Sequence, residues 1–168
     1  LTIAASGNYL TFDGSNDYLK AAAFALAQPE TVYFVGSQVT WTDIDTLYDG
    51  GTVSTMTLSQ RGATPQIQLY AGTADACSIS PALNTGVIIT SVFSGAASSN
   101  RINRGTAATG NPGTGGQAAG FTLGAKGAVG TTFANITVSE VLIYSEASLR
   151  ATMNGIISYL AAKWSIGL

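Results

Sequence analysis

The residues best placed to do chemistry lie in one stretch, TWTDIDTLYDG, residues 40–50. Asp43 and Asp45 are two apart, so on an extended backbone their carboxylates point the same way. With Asp49 they form a set of hard oxygen donors of the kind that suits calcium, although the spacing is not that of an EF-hand loop. Trp41 stands beside them. An indole face stacks on the C–H bonds of a sugar while nearby carboxylates accept from its hydroxyls, and Tyr48, Arg61 and Tyr70 can complete such a surface. The candidate sugar contacts are therefore Trp41, Asp43, Tyr48, Arg61 and Tyr70. The candidate calcium ligands are Asp43, Asp45 and Asp49. The same acids also suit a solvated loop, and the same aromatic residues suit the core or rim of a sheet.

A second acid-bearing stretch, LTFDGSNDYL at 10–19, reads as architecture. Asp13-Gly14 is a turn signal, because both residue types tolerate positive φ. Asp17 is placed to accept backbone N–H groups across that turn.

Other chemistries lack their parts. Histidine is absent, which removes the commonest general base, the commonest zinc ligand and any Ser–His–Asp relay. Glycoside hydrolysis needs two carboxylates about 5–9.5 Å apart, and none of Glu30, Glu140 and Glu146 has another acid two residues away. GNPGTGG at 110–116 has neither the lysine nor the following helix of a phosphate loop. The expectation is a protein that is not an enzyme. A net charge of −2, from 9 acids and 7 bases, gives nothing to neutralise a nucleic-acid backbone. No run approaches the ~20 apolar residues of a membrane span. One cysteine, Cys77, cannot close an internal disulfide and is expected as a small buried hydrophobe. Beginning at Leu1, with no basic segment ahead of an apolar one, the chain is expected to start after processing or to be an excerpt of a longer protein.

The elements that must position these residues are mostly strands. In a chain of 168 residues, 46% hydrophobic but only 10% charged, the expected organisation is one domain, residues 1–168, with a surface of hydroxyls and amides. Strands are expected at 8–12, 17–21, 30–39, 46–51, 55–60, 66–72, 86–95, 100–105, 121–125 and 133–145. Segments 30–39 and 86–95 are apolar on both faces and should be central. Residues 21–29 suit a short helical turn or a loop, and 106–120 a low-complexity loop. At the end, Leu149, Met153, Ile156, Ile157, Leu160 and Trp164 form one helical stripe, with Ser145 and Glu146 as its start. About ten short strands followed by one helix predict an all-β sandwich or jelly roll.

LTFDGSNDYL at the start and NITVSEVLIYSEASLRATMNGIISYLAAKW at the end resemble the laminin G-like branch of the concanavalin A-like lectin/glucanase superfamily. Those domains open on an F-D-G-x-x-D-Y strand. They close with a strand of the form E-hydrophobic-hydrophobic-hydrophobic-Y, which leads into a helix ending near K-W. GVIITSVFSG and NRINRG resemble the strand pair that carries a V-N-G turn, from which Ile102-Asn103-Arg104-Gly105 departs by one residue. The resemblance implies a concanavalin A-like jelly roll of two antiparallel sheets with one C-terminal helix. It implies glycan binding or adhesion, with calcium present in some relatives and no other cofactor. Such domains recur in tailed-phage virion proteins. The paired acids of the superfamily's hydrolases, E-x-D-x-x-E or E-x-D-x-E, are missing here. The first expectation is thus a structural or attachment module of a virion, in head decoration or a tail fibre. Its partners would be neighbouring subunits, further copies of itself or a surface glycan. The alternative is a lectin-like carbohydrate-binding module of a larger secreted or surface protein. Either setting is a virion or an extracellular surface.

Overall fold

Runs of apolar residues, with turn chemistry between them, give thirteen short strands and one α-helix among the described residues. The computed structural model describes residues 2–3, 9–52, 54–117, 119–127 and 131–168. Asn8 of the strand expected at 8–12 and Ala118 of the 106–120 loop lie outside the described residues. In chain order the strands are β1 (Thr2–Ile3), β2 (Leu10–Asp13), β3 (Leu19–Lys20), β4 (Glu30–Gln38), β5 (Thr46–Gly50), β6 (Thr57–Gln60) and β7 (Ile67–Tyr70). There follow β8 (Ala76–Ile79), β9 (Val87–Phe93), β10 (Ser98–Ile102), β11 (Ala108–Gly110), β12 (Phe121–Leu123), β13 (Asn135–Tyr144) and the helix α1 (Arg150–Trp164).

Seven strands pair in the order β1-β2-β13-β4-β9-β10-β11, and six in the order β3-β12-β5-β6-β7-β8. All named pairs are antiparallel. The chain passes repeatedly between the sheets, at β2–β3, β3–β4, β4–β5, β8–β9, β11–β12 and β12–β13, as in a jelly roll. Between the sheets lies a continuous core that includes Phe12, Val32, Phe34, Leu58, Leu69, Ile89, Phe93 and Ile136. Cys77 joins it, 4% exposed, and burial pushes its thiol up to about 11.

The apolar second face of β4 and β9 has a separate cause. Tyr33, Val35 and Ile88 point away from the inter-sheet core and meet Ile157, Leu160 and Ala161 of α1. Burying Ile157 and Leu160 contributes about 1.5–3 kcal/mol each. The far end of α1 is pinned to β13, where Glu140 accepts from the Trp164 indole N–H at 2.6 Å and from Lys163 at 2.9 Å.

Of the two forms expected for 21–29, the loop is the one adopted, with Leu26 bridging Gln117. One expectation changes. The helix begins at Arg150, five residues after Ser145. The intervening chain is tied to β4, where the Thr31 hydroxyl donates to the Glu146 carbonyl at 2.7 Å and accepts from the Ser148 N–H at 3.0 Å. Those bonds take the chain along the sheet before it can coil. The opening turn is architectural, as its residues suggested. Asp13 accepts from the Ser15 N–H at 2.8 Å, Asp17 accepts from the Asp13 N–H at 3.2 Å, and Gly14 sits at φ 77°. That φ is open to glycine and costly for most other residues.

Candidate functional site

The outer face of the six-stranded sheet is polar because of strand periodicity. On β6 Leu58 points into the core, so Thr57 and Ser59 point out; on β7 Ile67 and Leu69 point in, so Gln68 and Tyr70 point out. The register sets Tyr70 opposite Thr57 and Gln68 opposite Ser59. Arg61 follows β6 directly, and Asp75 lies in the turn between β7 and β8. The Arg61 guanidinium donates from Nε at 3.0 Å and from Nη2 at 2.8 Å to one oxygen of Asp75. Its Nη1 is 3.9 Å from Asp43. Asp75 holds the Arg61 guanidinium above its usual pKa, so the cation is permanent.

A cleft of about 250 Å³ lies here, lined by Ser54, Thr57, Ser59, Arg61, Tyr70 and Asp75 together with Ile44 and Lys126. That is smaller than the ~300 Å³ at which drug-sized pockets begin, so it suits one ring rather than a long oligomer. A larger concavity of about 570 Å³ lies elsewhere, between residues 25–29, Ser94, Gly95 and the loop at Thr114–Gln117. No charged residue lines it. The chemistry is at the smaller cleft.

The sequence-chosen residues separate into those the fold brings together and those it does not. Arg61 and Tyr70 share the cleft, and Asp43 approaches its edge through Arg61. Trp41 does not line it. The Trp41 indole N–H donates to the Gln66 carbonyl at 2.8 Å and anchors the loop. Tyr48 is a correction. It is fully buried, stacked on Phe121 with ring centroids 5.3 Å apart, and touches no surface. The register shift between Thr46 and Tyr48 turns Leu47 and Tyr48 both inward.

The calcium set is also corrected. Asp49 is fully buried, and its carboxylate accepts from the N–H groups of Gly50, Ser54, Thr55, Met56 and Gly127 and from the Thr57 hydroxyl. Its oxygens are thus committed to folding the 50–56 loop. Burial raises the Asp45 pKa against the opposing pull of Thr42, and Asp43 faces Arg61. Among the described residues, no three acids, cysteines or histidines come together to hold a metal. Of the cleft residues not singled out from sequence, Thr57 and Ser59 were legible in the alternation of TLSQ. Asp75 and Lys126 stand in loops with no local signal.

No family model matches the sequence, and no curated protein matches it. Solved structures do match in shape. A SAP-like pentraxin from Limulus polyphemus, a native heptamer, superposes with a TM-score of 0.69 at 13% identity, over 89% of this chain and 81% of that one. Trypanosoma rangeli sialidase in complex with sialic acid gives 0.65 at 15% identity, over 96% of this chain and 29% of that one. The binding domain of botulinum neurotoxin DC in complex with SialylT gives 0.58 at 10% identity, over 90% of this chain and 46% of that one. The chain thus spans under a third of the sialidase. These likenesses establish the fold, a jelly-roll sandwich of two antiparallel sheets.

Proposed function

We propose that this chain is a non-catalytic attachment module that holds a sugar ring in the Arg61–Tyr70–Asp75 cleft. The observation that carries the reading is the cleft itself. An aromatic side chain stands beside an ion pair and three hydroxyl-bearing residues, Ser54, Thr57 and Ser59, in a space the size of one ring. Tyrosine supplies an apolar stacking surface with a polar tip. The Asp75 carboxylate accepts and the Arg61 guanidinium donates, which is what vicinal hydroxyls require. The structural likeness to a toxin binding domain in complex with SialylT and to a sialidase in complex with sialic acid supports this reading.

A glycan array followed by calorimetry tests it. Tyr70→Ala and Arg61→Ala should each weaken binding by about tenfold or more, since losing a stacked aromatic or a charge-assisted pair costs about 1.5–3 kcal/mol. Both side chains are on the surface, so folding should be little changed. Absence of any saturable glycan, or binding indifferent to Tyr70→Ala, overturns the reading.

One observation favours a second reading, contact with neighbouring subunits, as in a tailed-phage virion. An apolar groove of about 450 Å³ runs along the sheet edges between Leu19, Phe24, Phe121, Leu123, Val141 and Ile143. Leu19 and Phe24 are 40% and 37% exposed there. On this reading the wild type self-associates in light scattering at micromolar concentration, and Leu19→Glu makes it monomeric. A wild type that stays monomeric at millimolar concentration removes self-association as its basis.

A further inference from the structure

Across the outer face of the seven-stranded sheet runs a row of buried polar side chains short of hydrogen-bond partners. Tyr33 on β4 is in register with Thr90 on β9, and Thr90 with Arg101 on β10. Tyr33 faces α1, so all three point under the helix. Arg101 is 3% exposed, Thr90 1% and Tyr33 fully buried. Arg101 Nε and Nη2, Thr90 Oγ1 and Tyr33 Oη each lack a hydrogen-bond partner, and so does the Oγ of Ser148, 5% exposed, just ahead of the helix. Among the described residues Arg101 has no ion pair.

Several contacts place this row at the helix N-terminus. The Tyr33 hydroxyl lies close enough to the Ser148 hydroxyl to interact with it, and within electrostatic range of Arg101, Tyr144 and Glu146. Burial and then the charge of Arg150, the first helical residue, push the Arg101 pKa down. The fifteen-residue helix has Leu149 as its N-cap, no side chain capping its free N–H groups and no acid in its first turn. A guanidinium cannot shed its proton to escape burial, and a buried charge without a counter-charge is strongly unfavourable. Free N–H groups, the positive end of the helix dipole, two arginines and the hydroxyls of Tyr33, Thr90 and Ser148 therefore surround a point at which no carboxylate pairs with Arg101 among the described residues, Glu146 being the acid within electrostatic range of Tyr33.

We propose that this point is a binding site for a small tetrahedral oxyanion, sulfate or phosphate, held by Arg101, Ser148, Tyr33 and the first N–H groups of α1. Leu149 and Arg150 are exposed beside it, which gives an entry path from solvent. The site lies on the opposite sheet from the Arg61–Tyr70 cleft, so the two stand or fall separately. The oxyanion is either a free ion or the sulfate or phosphate group of a larger ligand.

Thermal melts of the whole chain in sodium sulfate or sodium phosphate, against sodium chloride of equal ionic strength, test the site. About 50 mM sulfate should raise Tm by about 3–5 °C over chloride, saturably, by mass action on the folded state. Arg101→Met should abolish the rise. It should still fold, because it removes a buried charge that has no partner. Ser148→Ala and Tyr33→Phe, which keep the packing, should each weaken the response by about threefold or more. A monosaccharide sulfate binding at least tenfold more tightly than inorganic sulfate, through Arg101, identifies a conjugated ligand; equal affinities identify the free ion. A selenate-soaked crystal should show an anomalous peak within hydrogen-bond reach of Arg101. No oxyanion-specific rise in the wild type, an equal rise in Arg101→Met, or a map with water alone at the site overturns the proposal.

Discussion

Asp49→Ala is expected to lower Tm by about 10–20 °C, the largest loss at any single polar position. The Asp49 carboxylate is buried and accepts six hydrogen bonds, at 2.7 Å from Ser54 N–H, 2.8 Å from Gly50, 2.9 Å from the Thr57 hydroxyl, 3.1 Å from Gly127, 3.2 Å from Thr55 and 3.4 Å from Met56. Nearby, Lys20 donates to the carbonyls of Gly51 and Gly127 at 2.8 and 2.9 Å, so the strap around Asp49 is held from both sides. Alanine leaves these donors without an acceptor. Each bond to a charged group is worth about 1.5–3 kcal/mol, and the six are not additive, so about 4–6 kcal/mol is a fair total. At about 2–4 °C per kcal/mol for a chain of this size, that gives the expected drop. Asp49→Asn keeps one acceptor but aims an amide at the other donors, and should lose roughly half as much. Differential scanning calorimetry decides it: an Asp49→Ala protein melting within 3 °C of the wild type would show that the loop holds itself.

How legible this was in sequence varied by element. Strands β4, β9 and β13 are long and apolar enough that periodicity found them. Strand β8 was missed because ADACSIS carries little apolar signal and holds Cys77 at φ 56°, a conformation no propensity suggests. Strand β11 hides inside the small-residue stretch 106–120, where pairing with β10 rather than composition makes the strand. Tyr48 was misplaced because alternation assumes an unbroken pleat, and one register shift sends two neighbours to the same side. Asp49 looked like a ligand because a buried loop anchor and a metal ligand are the same residue type; only the six donors tell them apart. At the cleft, Arg61 and Tyr70 were legible as surface candidates, but their partner Asp75 is fourteen residues along the chain from Arg61 and only the turn after β7 brings it back. The row under α1 was invisible for the same reason, since Tyr33, Thr90 and Arg101 meet only through strand register.

Glu30→Gln is expected to stabilise the protein at alkaline pH and leave it unchanged in acid. Glu30 opens β4 with the same facing as Val32 and Phe34, so its carboxyl enters the space between the sheets. It is fully buried, and neither oxygen has a hydrogen-bond partner. Burial alone pushes it from 4.5 up to about 8. The raised value sets the sign. Below pH 4.5 the folded and unfolded chains both carry the proton, so the group contributes no pH dependence. Between 4.5 and about 8 the unfolded chain releases its proton while the folded one keeps it, and stability falls as pH rises. Above about 8 both are ionised and the whole penalty is present. A rise of roughly 3.5 pKa units sets a ceiling near 5 kcal/mol at about 1.36 kcal/mol per unit. Relaxation and water entry around a buried carboxylate reduce that to about 2–4 kcal/mol. Glutamine has the same shape and cannot ionise, so the difference between variant and wild type should be near zero at pH 4.5 and grow to that plateau by pH 8–9. Subtracting the two proteins cancels every other titrating group. Urea melts across this range give the curve directly, and a difference that stays flat from pH 5 to pH 9 would mean that Glu30 is ionised, and solvated, in the folded protein throughout.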